Sequence, residues 1–105
     1  MATLLLKELH CKEPEDNIGG DHVYIKVGEE KVEEVWGRYR IGRGERLQVG
    51  VNISFGTRVA IELWDADAID PDDILGRHVL GSGVASGRLV FDNDESDYDL
   101  TYDVT

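Results

Sequence analysis

The sequence predicts an all-β domain, an eight-stranded antiparallel β-sandwich, on three observations. Apolar residues recur at every second position through most of the chain, the period of a strand with one face in a core. No window of a dozen residues sustains the i, i+3, i+4, i+7 stripe of a helix. The twelve glycines fall mainly between the alternating runs, where turns belong. At 105 residues and 41% hydrophobic content, the chain is long enough for one core and too short for two, so residues 1–105 are expected to form a single domain.

The strands follow in order. The first, 3 to 11, contains three consecutive leucines, and the second, 22 to 28, alternates Val23, Ile25 and Val27. A third is expected over 31 to 36. The fourth, 46 to 53, carries Leu47, Val49, Val51 and Ile53, and the fifth, 58 to 65, carries Val59, Ile61 and Leu63. Two shorter strands are expected over 77 to 81 and 87 to 92. The last, 97 to 104, alternates Tyr98, Leu100, Tyr102 and Val104. Trp36, Trp64 and Cys11 occupy strand positions and are expected in the core.

Twenty-two acidic residues against eleven basic ones leave a formal net charge of -11. That balance argues against nucleic acid, which needs a basic stripe to displace counterions. An anionic membrane would repel the chain unless something offset its charge. MATLLLKEL lacks the longer apolar stretch of a secretory signal, and no segment reaches transmembrane length. One cysteine excludes an internal disulfide framework or a thiolate metal cluster. No nucleophile and base pair is evident, so a binding module is expected rather than an enzyme, and a monomer.

If each strand crosses the sandwich once, the first, third, fifth and seventh connections share one pole. Those connections hold the negative charge. The first carries Glu13, Glu15, Asp16 and Asp21; the fifth, WDADAIDPDDILG, carries Asp65, Asp67, Asp70, Asp72 and Asp73; the seventh carries Asp92, Asp94, Glu95 and Asp97. Thirteen of the twenty-two acids thus converge on one end, while the even connections are short and nearly uncharged. Crowded carboxylates raise one another's pKa and cost stability unless a cation offsets the repulsion. Calcium fits best, because it accepts six to eight oxygen ligands in flexible geometry. Zinc would prefer His or Cys, and His10, His22 and His78 have no ligand-like spacing. Asp65 and Asp67 leave the same face at a strand end, and Asp73 returns beyond Pro71, so one ion can be gripped from both sides. An EF-hand does not fit, because its glycine and final glutamate positions hold Asp70 and Gly76. Arg38, Arg40, Arg43 and Arg46 surround the third connection and can neutralise part of the acid field.

WDADAIDPDDILG resembles the third calcium loop of the C2-domain family of calcium- and phospholipid-binding β-sandwich modules, and EDNIGGDHVYIKV is similar to that family's first calcium loop. VAIELW resembles the apolar strand that feeds the third loop. The order of loops suits the permuted, type II topology. The resemblance implies calcium ligation by Asp65, Asp67 and Asp73 and by Asp21 at the start of the second strand. HVYIKV lacks the family's proline and has one residue more, which leaves Glu15 and Asp16 as alternatives for the first-loop ligand. Asp70 and Asp72 are extra to the pattern, lying behind the ion or in solvent. Ile18 and Ile69 sit at the centres of the two loops, where C2 domains insert side chains into lipid; folding back over their own loops is the other reading. The implied function is calcium-dependent docking to a phospholipid surface or protein partner. The alternative is an interaction or adhesion domain in which calcium is purely structural.

Overall fold

The computed structural model describes residues 1–16, 18–93 and 95–105, and among them no helix occurs. Eight strands follow one another: β1 (Ala2–Glu13), β2 (Asp21–Gly28), β3 (Glu33–Ile41), β4 (Arg46–Phe55), β5 (Arg58–Asp65), β6 (Asp73–Gly81), β7 (Gly87–Asp92) and β8 (Asp97–Val104). They form two four-stranded sheets, ordered β4-β1-β8-β7 and β3-β2-β5-β6, in which every pairing is antiparallel. The sandwich is elongated, with extents of 42 × 25 × 23 Å.

Alternation sets which side chains meet between the sheets. Val23, Ile25 and Val27 of β2, Val59, Ile61 and Leu63 of β5, and Tyr98, Leu100 and Tyr102 of β8 are buried in the core, as a period of two requires. In β1 the inward phase changes. Leu4 and Leu6 face the core, a bulge intervenes between Leu6 and Glu8, and Leu9 and Cys11 then take over the inward positions. One inserted residue reverses the facing of every later side chain, which is why LLLKELHC carries its apolar residues out of strict alternation.

Five strands run past their expected bounds, β1, β2 and β4 by one to three residues and β3 and β6 by more. β3 runs on to Ile41, so Arg38 and Arg40 are strand residues and the third connection shrinks to Gly42–Glu45. The charged and glycine residues of WGRYRI hide its alternation. Gly37 is required here: its φ is +125°, and a Cβ would lie 2.4 Å from the Tyr24 Cβ on β2. β6 begins at Asp73, four residues before the expected start, because its pairing with β5 continues down to Asp65 opposite Asp73. The two tryptophans differ from expectation. Trp36 is half-buried against the core edge. Trp64 points outward, stacked on Tyr24 at 6.2 Å between ring centroids with the Lys26 ammonium 4.7 Å above it.

The odd-numbered loops meet at one pole. Glu15, Asp73, Asn93 and Glu95, from the first, fifth and seventh loops, line one depression. The third loop hangs on β1, with Gly44 N–H donating to the Cys11 carbonyl at 2.7 Å and Cys11 N–H to the Glu45 carbonyl at 3.0 Å. Gly20, with φ +77°, brings the first loop so close to the third that a Cβ would sit 2.4 Å from the Ile41 carbonyl.

Candidate functional site

The first and fifth loops are built on one plan, D-x-I-x-x-D: Asp16, Ile18 and Asp21 in one, Asp67, Ile69 and Asp72 in the other. In each, the first aspartate accepts the isoleucine N–H at 2.9 Å, from Ile18 to Asp16 Oδ1 and from Ile69 to Asp67 Oδ1. This is the short aspartate turn that competes well with regular structure. The second aspartate accepts the N–H of the first, from Asp16 to Asp21 Oδ1 at 2.8 Å and from Asp67 to Asp72 Oδ1 at 2.9 Å. A tyrosine hydroxyl then fixes that second aspartate: Tyr98 donates to Asp21 Oδ2 and Tyr24 to Asp72 Oδ2. Neither the anchoring tyrosines nor the repeat is among the features expected from the sequence. The doubled spacing was the available signal.

The donors sort the acids. N–H groups of Ile69 and Asp70 hold Asp67 below the usual carboxylate range. The Tyr24 hydroxyl, followed by the Asp67 N–H, does the same for Asp72. Asp21 is only 1% exposed, and three donors, Tyr98, Glu15 N–H and Asp16 N–H, converge on its oxygens. It anchors the first loop and has little lone-pair capacity left. Burial and then Asp21 push the Tyr98 phenol far above its ordinary range, so it stays a donor.

Glu15 and Asp65 are the opposite case, with Asp73 beside them. Burial, a hydrogen bond with Asp73 and the charges of Asp73, Asp65 and Asp21 push Glu15 up to about 8. Burial pushes Asp65 up to about 6, with Asp21 and Asp73 adding to it, against a 3.0 Å hydrogen bond from His22 N–H. No ion pair among the described residues involves Glu15, Asp65 or Asp73. The arginines of the third connection are engaged elsewhere: Arg38 with Glu34 and Asp72, Arg40 with Glu45 and the Gly19 carbonyl, Arg43 with Glu13, and Arg46 with Glu8 on a sheet face.

Among the described residues, no three His, Cys, Asp or Glu side chains converge as a ready-made metal centre. The donor set nevertheless suits a hard cation: oxygens only, from one loop and two strand ends, crowded, and without an ion pair among the described residues. A larger depression of about 660 Å³ lies beside it, lined by Glu13, Glu15, Asp92, Glu95 and Asp97, and Asp97 Oδ1 is buried without a hydrogen-bond partner among the described residues. Asp94, the remaining acid of that loop, lies outside the described residues. Asp70 is exposed, its N–H tied to Asp67 and its carboxylate facing solvent. Ile18 and Ile69 do not fold back: they are 87% and 93% exposed at the tips of their loops.

The chain superposes on the structure of a C2 domain with a TM-score of 0.66 at 18% identity, covering 100% of this chain and 99% of that one. The fold is that of a C2 domain. The C2A domain of a plant extended synaptotagmin 1 matches at TM-score 0.59 and 11% identity, over 98% of this chain and 90% of that one. Human GIVD cytosolic phospholipase A2, in complex with an inhibitor and terbium chloride, matches at TM-score 0.65 and 13% identity. This chain is covered to 98% there but spans only 17% of the phospholipase chain. No protein-family model and no curated protein matches. Within this C2-like fold, the acidic pole is the end at which the β1–β2, β3–β4, β5–β6 and β7–β8 loops meet.

Proposed function

We propose that this C2-like domain is a calcium-dependent docking module, not an enzyme, whose acidic pole binds Ca²⁺ and then meets a phospholipid surface. The observation that carries the reading is the crowding of Glu15, Asp65 and Asp73: burial and neighbouring carboxylates push Glu15 and Asp65 up in pKa, Asp73 lies against both, and among the described residues none of the three has an ion pair. Calcium supplies the missing positive charge, with Glu15, Asp65 and Asp73 as its principal ligands and Asp67, Asp16 and Asp70 at the rim. Asp21 and Asp72 act from behind, holding the loops in shape through their tyrosines. Lowering the charge of the pole removes its repulsion from anionic headgroups and lets the exposed Ile18 and Ile69 enter the interface.

The test is sedimentation with phosphatidylserine-containing vesicles, with calcium and with chelator. Wild type is expected to pellet only with calcium, and the Ile18→Asp/Ile69→Asp double variant to stay in solution while still binding the ion. Terbium luminescence sensitised by Trp64, next to Asp65 in sequence, reads ion binding separately. A protein that binds calcium yet ignores vesicles would point to structural calcium in an interaction or adhesion domain. One that binds no ion would remove the proposal.

A further inference from the structure

The outer face of the β4-β1-β8-β7 sheet carries a second site, independent of the acidic pole. Strand register aligns two rows of side chains across it: Arg46, His10, Asp99 and Val90 in one, and Gln48, Glu8, Thr101 and Arg88 in the next. The rows frame a cleft of about 260 Å³, with Lys12 beside it. Four strands at the usual spacing, with a two-residue offset along the strand, put Arg46 and Arg88 roughly 16 Å apart at the backbone, so their long side chains lean in from opposite walls. In a chain of net charge -11, three of the eleven basic residues surround this one cleft.

The two acids there are not equally served. Glu8 has both oxygens satisfied, by Arg46 at 2.8 Å and by Gln48 Nε2 at 2.9 Å. The Asp99 side chain is only 6% exposed, and Lys12 at 3.1 Å and Arg88 at 3.5 Å both approach its Oδ2. Its Oδ1 is buried with no hydrogen-bond partner among the described residues. Such an oxygen is costly in a finished structure, because desolvation is not offset by any donor. Meanwhile Lys12, Arg46 and Arg88 remain 44%, 57% and 59% exposed and hold unused N–H groups. The cleft therefore offers a surplus of cationic donors beside one buried acceptor that lacks a donor.

We propose that the cleft binds a phosphorylated polyol, its phosphate held by Lys12, Arg46 and Arg88 and a neighbouring hydroxyl donated to Asp99 Oδ1. Guanidinium groups suit the multiple oxygens of a phosphate. A hydroxyl, being neutral, reaches the carboxylate without the repulsion that a second anion would meet or that Lys12 would impose on an ammonium. The volume falls a little short of drug-sized pockets of about 300 Å³ and fits a single sugar ring rather than an acyl chain.

The experiment is backbone amide NMR of the whole chain in chelator, so that ion binding at the pole is silent. Glucose phosphate is expected to give saturable shifts centred on His10, Lys12, Arg88, Asp99 and Thr101. Unphosphorylated glucose is expected to give none. Inorganic phosphate is expected to bind about tenfold more weakly, because it lacks the polyol hydroxyl. Arg88→Gln and Arg46→Gln, both at exposed positions, should each weaken binding by about tenfold with an unchanged melting temperature. Asp99→Asn should abolish the preference for glucose phosphate over inorganic phosphate. Vesicles with a phosphorylated inositol headgroup form a second arm: displacement of glucose phosphate by these vesicles, and not by plain vesicles, assigns the ligand to a lipid headgroup, and its failure assigns it to a soluble metabolite. Absence of saturable shifts with both ligands, or equal binding by the Arg46→Gln/Arg88→Gln double variant, overturns the proposal.

Discussion

Tyr98 shows how one hydroxyl supports a whole loop. It reaches from the core to Asp21, which in turn holds the Glu15 and Asp16 N–H groups. Tyr98→Phe leaves a buried carboxylate short of a donor, and urea unfolding is expected to show a loss of about 1–3 kcal/mol. Asp21, which Tyr98 anchors, adds its charge to the field in which Glu15 and Asp65 titrate. Their folded pKa values, about 8 and about 6, stand above ordinary values of 4.5 and 3.8. An acid whose folded pKa is raised contributes stability that is complete below its unfolded pKa and is lost as pH rises through the folded one. The metal-free protein should therefore melt at higher temperature as pH falls from about 8 towards about 5, and Glu15→Gln should flatten that rise. Acid unfolding below this window comes from Asp67, Asp72, Asp103 and Glu8, whose lowered values carry the opposite sign. A melting temperature that falls on mild acidification of the metal-free protein would contradict this account.

At the scale of elements, the decisive feature is the register of β5 against β6, which sets Asp65 directly opposite Asp73. Like charges facing across a strand pair destabilise it. Asp73→Asn is thus expected to raise the melting temperature in chelator and to weaken calcium binding by about tenfold or more, since ligand charge tunes affinity. Calorimetry in the two conditions should show this change of sign; a variant less stable in both would mean that Asp73 serves the hairpin and not an ion. The paired D-x-I-x-x-D loops work at this scale too. Each is a closed ring of backbone and side-chain hydrogen bonds that keeps an isoleucine outward, so the tips are preformed before any ion arrives.

For the whole molecule, the sandwich gathers acids at one pole and sets three of its eleven basic residues around one cleft on a flank, although the net value is strongly negative. A site with a dissociation constant near 10 μM, in about 1 mM calcium, would gain roughly 2.7 kcal/mol by mass action. For a domain of this size that corresponds to roughly ten degrees or more in melting temperature. Calcium-independent melting, followed by calorimetry, would refute the metal reading of the pole.

Period-two alternation, with glycines between the runs and no helical stripe, determined the class of fold, the number of strands, the bounds of β5, β7 and β8, and which loops share an end, because a strand crosses the sandwich once and each of its side chains must choose a face. The acid count at that end was equally legible. Only the tertiary structure decided how the acids divide. Asp21 and Asp72 are anchored because Tyr98 and Tyr24, 77 and 48 residues away in the chain, point their hydroxyls at them. Glu15, Asp65 and Asp73 are crowded because strand pairing and loop closure bring them together, with no ion pair to any of them among the described residues. Charge can be counted along a chain, but whether a carboxylate meets a donor, another carboxylate or solvent depends on distances that exist only after the sheets have packed.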